Sequence, residues 1–370
     1  MSPREASSLL PDLPEGAEVL IIRLRSLGDV VLLTPALTAL HDWRPDLRLC
    51  VLVKPAWAPL LEGNLAVSEI LLMRNFFASA RELRRRRFPI VYNQHAGPTS
   101  ALLTAAIGAP ERVCWARRQF SFVYNVLIDD PRQHIHTVEH RMEQFYATGL
   151  PRGPIPPARV YAQADARAAI AIQLAQRGIA ARAAYAVIRP GAKYFTKRWA
   201  MSQFIELAEW LREKHGVEAV FNIGRGDDEI GEEVRRACGK KFALFDALDL
   251  RELIALVAGA RIFIGNDSGP THIAAALARP VVAIFSSSSS VHWRPWETPN
   301  RVVQNEFACN PCKGDRCYAF EEPRCILSVT LEQVKETCAA LLAETVAKER
   351  GVVSAADLQR PGITGRGKDS

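Results

Sequence analysis

No apolar run in this chain approaches the ~18 residues that a membrane-spanning helix needs. The first 16 residues mix Pro, Ser and acidic side chains and lack the apolar core of a secretory signal, so a cytoplasmic location is expected. There is no zinc-finger helix signature and no basic motif interleaved with aromatics, which argues against nucleic acid as a partner. Nor is the chain short of apolar residues. They make up 48% of it, against 24% charged, a composition that excludes wholesale disorder.

At 370 residues the chain exceeds the usual size of one domain, and two cores are expected. Pro151-Arg152-Gly153-Pro154-Ile155-Pro156-Pro157 can form neither a helix nor a central strand and marks a linker. The expected organisation is a flexible tail over 1–16, a first domain over 17–155, a second over 156–345 and a flexible tail over 346–370. The net charge of +7 suits an anionic partner, but charge alone does not choose among nucleic acid, an anionic membrane surface and a phosphorylated substrate. The densest basic run, Arg81 to Arg87, reads either as a solvated helix face or as a contact for lipid headgroups or phosphates.

The clearest local pattern is Arg261-Ile262-Phe263-Ile264, then Gly265-Asn266-Asp267-Ser268-Gly269-Pro270-Thr271-His272, then small residues to Ala278 and the apolar Val281 to Phe285. It predicts strand, turn, helix, strand, with the polar turn at the carboxyl end of the first strand, the edge where α/β proteins bind ligands. Pro270 suits a first helical turn, whose free amides and dipole favour phosphate; Asp267 or Ser268 acting merely as a helix cap is the competing reading.

The pattern recurs along the chain. Glu18 to Ile22 predicts a buried strand, followed by Arg23-Leu24-Arg25-Ser26-Leu27-Gly28-Asp29-Val30 and a helix from Val31 to His41. Asp29 falls at the helix start, as a dipole-complementing carboxylate or as a general base. Leu49–Val53 and Ile90–Tyr92 predict further strands, and His95 follows the latter as a site residue or a satisfied loop histidine. In the second half, Tyr185–Ile188 leads into a loop where Lys193, Lys197 and Arg198 gather charge suited to a diphosphate, with Thr196 among them. Met201 to Lys214 predicts an amphipathic helix. Ala219–Ile223 then runs into Gly224 to Glu229, where Asp228 or Glu229 can accept from ribose hydroxyls or simply start a helix. Strands alternating with helices predict α/β domains with mainly parallel sheets.

Three stretches together resemble the ADP-heptose:lipopolysaccharide heptosyltransferase family: Arg25 to Val30; Pro190-Gly191-Ala192 with Lys197-Arg198-Trp199; and Asn266 to Ala276. Order and spacing fit from about residue 18 to 345. The resemblance implies a GT-B architecture, two Rossmann-like domains facing across a cleft. It implies inverting transfer of heptose, without a catalytic metal, from an ADP-sugar to a lipid-linked saccharide acceptor at the cytoplasmic face of the inner membrane. No Asp-x-Asp pair of the metal-dependent kind is present. By resemblance Asp29 is the catalytic base, Lys197 stabilises the departing diphosphate, and Ser268, Gly269, Thr271 and His272 bind phosphates beside Asp267. Lys193, Thr196, Asp228 and Glu229 complete the donor side; Arg25, Ser26, Gly28 and His95 belong to the acceptor side. Where relatives often continue with Gly-Pro-Thr, this chain has Ser286 to Ser290, which leaves the donor sugar open. A transferase using another nucleotide-sugar and a non-catalytic nucleotide-sugar-binding module are the alternatives.

Eight cysteines divide into two groups. Cys50, Cys114, Cys238 and Cys338 lie in predicted elements and read as small buried apolar residues. Cys309-x2-Cys312-x4-Cys317-x7-Cys325 reads as a structural zinc site, a reduced packed loop or an adventitious disulfide.

Overall fold

The computed structural model describes residues 6–131, 135–224, 226–239, 241–246 and 248–349. The chain divides after Tyr161 into two compact units, a boundary slightly beyond the expected 155/156.

The first unit runs β1 (Glu18–Ile22), α1 (Leu27–Val31), α2 (Thr34–Trp43), β2 (Arg48–Val53), β3 (Glu69–Leu72), α3 (Phe76–Arg86), β4 (Ile90–Asn93), α4 (Pro98–Ile107), β5 (Glu111–Trp115), β6 (Val126–Ile128) and α5 (Thr137–Ala147). Its strands form one parallel sheet in the order β3-β2-β1-β4-β5-β6. The single helix expected over Val31–His41 is two. Pro35 lacks the amide that a continuous helix would use there, so α2 starts afresh at Thr34 and leaves Asp29 in the short α1.

The second unit contains α6 (Ala164–Gln176), β7 (Tyr185–Arg189), α7 (Met201–His215), β8 (Glu218–Asn222), α8 (Asp228–Cys238), β9 (Ala243–Phe245), α9 (Leu250–Ala258), β10 (Ile262–Asn266), α10 (Gly269–Ala276), β11 (Val281–Ile284), α11 (Ser290–Trp293), β12 (Asn300–Val303), α12 (Arg324–Leu327) and α13 (Leu331–Glu349). Its parallel sheet has the order β12-β11-β10-β7-β8-β9, which is the order of the first sheet read from the other edge.

The unbroken apolar runs of the central strands follow from helices covering both sheet faces. In the second unit Ile188, Phe221, Ile264 and Ile284 pack with Phe204, Leu207 and Leu341 from α7 and α13. The alternate residues Val187, Val220, Phe263 and Ala283 pack with Ile170, Leu256 and Ala274 from α6, α9 and α10. Cys50, Cys114, Cys238 and Cys338 are buried, as expected.

Two expectations are corrected. Residues 6–16 are not a free tail: Leu10 is fully buried, its amide donates to the Thr148 carbonyl at 2.9 Å, and Arg44 donates to the carbonyls of Leu10, Pro11 and Leu13. Burying Leu9 and Leu10 compensates the entropy of ordering this segment. At the other end α13 continues to Glu349, past the expected limit of 345. The remainder of the expected tails, 1–5 and 350–370, lies outside the described residues.

Candidate active site

In both sheets the strand order reverses between the first and fourth strands of the unit, at β1/β4 and β7/β10. The carboxyl edge at such a reversal is open, because the two flanking helices leave in opposite directions. Most of the residues singled out from the sequence gather at those two edges.

In the first unit, Asp29 is the third residue of α1 and lies beyond the end of β1. Its Oδ1 receives Arg23 at 2.5 Å and Arg141 at 2.6 Å. Its Oδ2 accepts from Ser26 Oγ at 2.9 Å and the Ser26 amide at 3.3 Å, closing a reciprocal cap on α1. Gln94, just past β4, accepts both guanidiniums at its carbonyl, Arg141 at 3.0 Å. Burial alone would raise the Asp29 pKa. Arg23 and then Arg141 outweigh it and hold the carboxyl well below the usual carboxylate range. His95 is lowered to about 4 by burial, with Arg23 and Arg25 adding to the effect, so its ring is neutral near pH 7. The buried His95 Nδ1 has no hydrogen-bond partner. Ser26 and Arg25 are exposed, and Gly28 is buried within α1. Arg23, Gln94 and Arg141 were not foreseen. Arg141 lies 112 residues from Asp29 on α5, and nothing local in the sequence ties the two.

In the second unit, Lys197 Nζ pairs with Asp267 Oδ2 at 2.8 Å, and Ser288 Oγ donates to the same oxygen at 2.6 Å. Asn266, at the end of β10, fixes the loop that carries Lys197. Its amide nitrogen donates to the Pro190 carbonyl at 2.6 Å, and its Oδ1 accepts from the Trp199 amide at 3.2 Å. Gly265 lets β7 and β10 approach: a Cβ there would stand 2.8 Å from the Arg189 carbonyl oxygen. Ser268 is the N-cap of α10, but its hydroxyl caps nothing and has no partner, so the capping reading fails for it. Gly269 opens α10, Thr271 donates to the Asn266 carbonyl at 3.0 Å, and His272 is buried 6.2 Å from the Trp293 ring. Thr196 is buried and donates to the Gly314 carbonyl.

The serine run is built into this edge. Ser286 donates to the Thr196 carbonyl at 2.9 Å, Gln304 donates to the carbonyls of Ser286 and Ser288, and the buried Ser287 Oγ has no partner. Orphaned buried hydroxyls are uncommon and mark places where a ligand can complete the pairing. With Ser268 and Ser287 unpartnered near Lys197, and the amides of α10 opening on the same turn, the arrangement suits a diphosphate.

Three expected donor residues stand apart. Lys193 is exposed, 4.9 Å from the Tyr194 ring centroid. Asp228 and Glu229 are exposed in the first turn of α8, where their carboxylates complement the helix dipole. The carboxylate at this strand end is their neighbour Asp227, paired with the buried Arg189 at 3.0 Å; a Cβ on Gly191 would meet it at 2.6 Å.

The four clustered cysteines line one cavity of about 360 Å³ together with Thr196 and Ser287. Burial raises the Cys325 thiol, and Cys309, Cys312 and Cys317 add to the rise. Among the described residues only Glu18, Cys50 and Glu69 bring three ligand atoms within 4.8 Å, and Arg86 already occupies that group, bonded to both carboxylates at 2.6 and 2.7 Å.

Residues 76–321, well over half of the chain, match glycosyltransferase family 9 (heptosyltransferase). The chain is 26% identical over 301 residues to lipopolysaccharide heptosyltransferase 3 of Escherichia coli, covering 76% of this chain and 86% of that one. Among solved structures it resembles a glycosyl transferase family 9 protein of Veillonella parvula (TM-score 0.78, 20% identity, 89% of this chain and 98% of that one). It also resembles the ADP-heptose lps heptosyltransferase II of E. coli (TM-score 0.75, 23% identity, 89% and 100%). The chain belongs to glycosyltransferase family 9, the heptosyltransferases, and is a glycosyltransferase built from two Rossmann-like units of the GT-B class.

Proposed function

We propose that this enzyme moves a heptose from ADP-heptose to the inner core of lipopolysaccharide, with inversion and with no metal at the reacting centre. The observation that carries the reading is the Lys197–Asp267–Ser288 arrangement at the foot of α10, with two unpartnered buried hydroxyls beside it. Lys197 has three donor hydrogens, one of them directed at Asp267, which leaves donors for a diphosphate oxygen. As the bond from the anomeric carbon to the diphosphate oxygen breaks, negative charge grows on ADP and is met by Lys197, the α10 amides and the serine hydroxyls.

The acceptor hydroxyl forms the new bond to the anomeric carbon and gives its proton to Asp29. Held by two arginines, Asp29 is a weak base. It therefore takes the proton late, after an oxocarbenium-like centre has drawn electron density from the attacking oxygen and made its proton acidic. Arg25, Ser26 and His95 line the same sheet edge and contact the acceptor. The net charge of +7 supports peripheral attachment to an anionic membrane face; no described helix is long and apolar enough to cross a membrane.

Another nucleotide-sugar on the same scaffold is the second reading, favoured by Ser286–Ser288 beside the donor turn. A donor panel with a defined lipid-linked acceptor and mass detection of product tests both. Transfer from ADP-heptose is expected to exceed all other donors; preference for a different donor would select the second reading, and no transfer from any would reject both.

A further inference from the structure

Residues 304–323, between β12 and α12, form neither helix nor strand. An irregular segment of about twenty residues inside a compact unit needs something besides backbone ladders to hold it. Three of the clustered cysteines lie in it, and the fourth, Cys325, sits at the start of α12.

We propose that Cys309, Cys312, Cys317 and Cys325 hold a thiolate-bound metal centre that staples this loop onto the donor edge. The Cys-x2-Cys pair can place two sulfurs on one metal, and the later two cysteines complete four ligands facing the same cavity. Arg316 and Arg324 also line that cavity and offset the negative charge that four thiolates bring. The sulfurs are splayed: no three of them lie within 4.8 Å of one another. Zinc–sulfur bonds of ~2.3 Å in a tetrahedron require sulfurs about 3.8 Å apart, so a single ion draws the loop inward. An iron–sulfur core, which spaces its ligands more widely, fills the cavity with less contraction.

The loop is tied to the donor edge at three points. The Cys312 amide donates to the Ser287 carbonyl at 2.9 Å, Asn310 donates to the Ser286 carbonyl at 2.8 Å, and Thr196 donates to the Gly314 carbonyl. A Cβ on Gly314 would stand 2.5 Å from Ser287 Oγ and 3.6 Å from Lys197 Cε. Metal occupancy is thereby coupled to the geometry of Ser287 and Lys197. This coupling rests on the donor-site reading above; metal binding itself does not.

The test uses the full chain, expressed with zinc and iron both supplied and purified anaerobically without chelator. Elemental analysis is expected to give about one zinc or iron per chain, or two to four irons with matching acid-labile sulfide. The content is expected to fall about tenfold in Cys317→Ser and to persist in Cys238→Ser, a buried thiol elsewhere in the unit. Wild-type content below roughly 0.1 per chain, or metal retained in Cys317→Ser, overturns the proposal. If Cys317→Ser does not fold, titrating the wild-type thiols with a mercurial decides: metal released as the thiols react supports the site, and none released rejects it. Calorimetric titration with ADP separates the two readings. An about tenfold weaker affinity after metal removal supports the coupling. ADP binding by a chain that never holds metal sinks the metal centre alone, and metal without ADP binding sinks the donor site alone.

Discussion

Replacing Asp29 by Asn keeps the shape of the side chain but removes the charge that two buried guanidiniums share. The Arg23 and Arg141 side chains are each 8% exposed, and Asp29 is 18% exposed, so solvent does little to replace it. Leaving such charges unpaired costs about 3–5 kcal/mol. At ~2–4 °C per kcal/mol for a unit of this size, the melting point of the first unit is expected to fall by roughly 6–20 °C. The effect has a signed pH dependence. The folded-state pKa of Asp29 is depressed, so its stabilisation is complete above the unfolded value of about 3.9 and disappears as pH falls below it towards the folded value. Urea unfolding of parent and Asp29→Asn should therefore show a constant gap between about pH 5 and 8 that closes below about pH 4. A gap under about 1 kcal/mol at pH 7, or one that stays constant in acid while both proteins fold, would refute the ion-pair argument. Turnover, measured at a temperature where both are folded, is expected to drop ~10²–10⁴-fold with ADP affinity unchanged. Turnover within threefold of the parent would remove Asp29 from the role of base.

Lys197→Ala is expected to lower kcat about 10²–10³-fold and also to cost stability, because it leaves the largely buried Asp267 carboxylate with only the Ser288 hydrogen bond; comparable rates, measured where both proteins are folded, would reject the leaving-group role. Ser287→Ala should have effects of opposite sign on folding and binding. Removing an unpartnered buried hydroxyl leaves the melting point unchanged or raised, yet weakens ADP affinity about tenfold; unaltered affinity in calorimetry would show that the hydroxyl meets no ligand. Gly265→Ala pushes a Cβ against the Arg189 backbone and is expected to cost ~1–3 kcal/mol in urea unfolding; parental stability would contradict the close approach of β7 and β10.

The central strands were legible because burial on both faces writes itself as consecutive apolar residues. Glu18–Ile22 is β1 to the residue, and Tyr185–Ile188 falls one short of β7. The edge strands β3, β6, β9 and β12, and β5 beside β6, were not legible: each is short or only partly buried, so the apolar signal fades. At the site, Asp267, Lys197 and Ser268 could be read because each follows a strand within one local unit. Arg141 could not, since its tie to Asp29 exists only once α5 has packed, and Ser288 gained its meaning only when β11 placed it beside β10. The pairing of Asp227 with Arg189 has the same origin, because the sequence offers three acidic residues in a row and only the packed Arg189 guanidinium distinguishes them.

The repeated strand order concentrates the candidate site residues of each unit on one rim and leaves the opposite rim to turns and structural ion pairs such as Arg86 with Glu18 and Glu69. In the second unit that rim carries the turns at Gly178 and Gly216, both left-handed glycines with open space where a side chain would begin. Inserted sequence or a tether for surface attachment can be grafted between α6 and β7 or between α7 and β8 while the glycines themselves are kept. Immobilised through either turn, the second unit would be held by the rim opposite the one that carries Lys197 and Asp267, so attachment leaves the donor edge untouched.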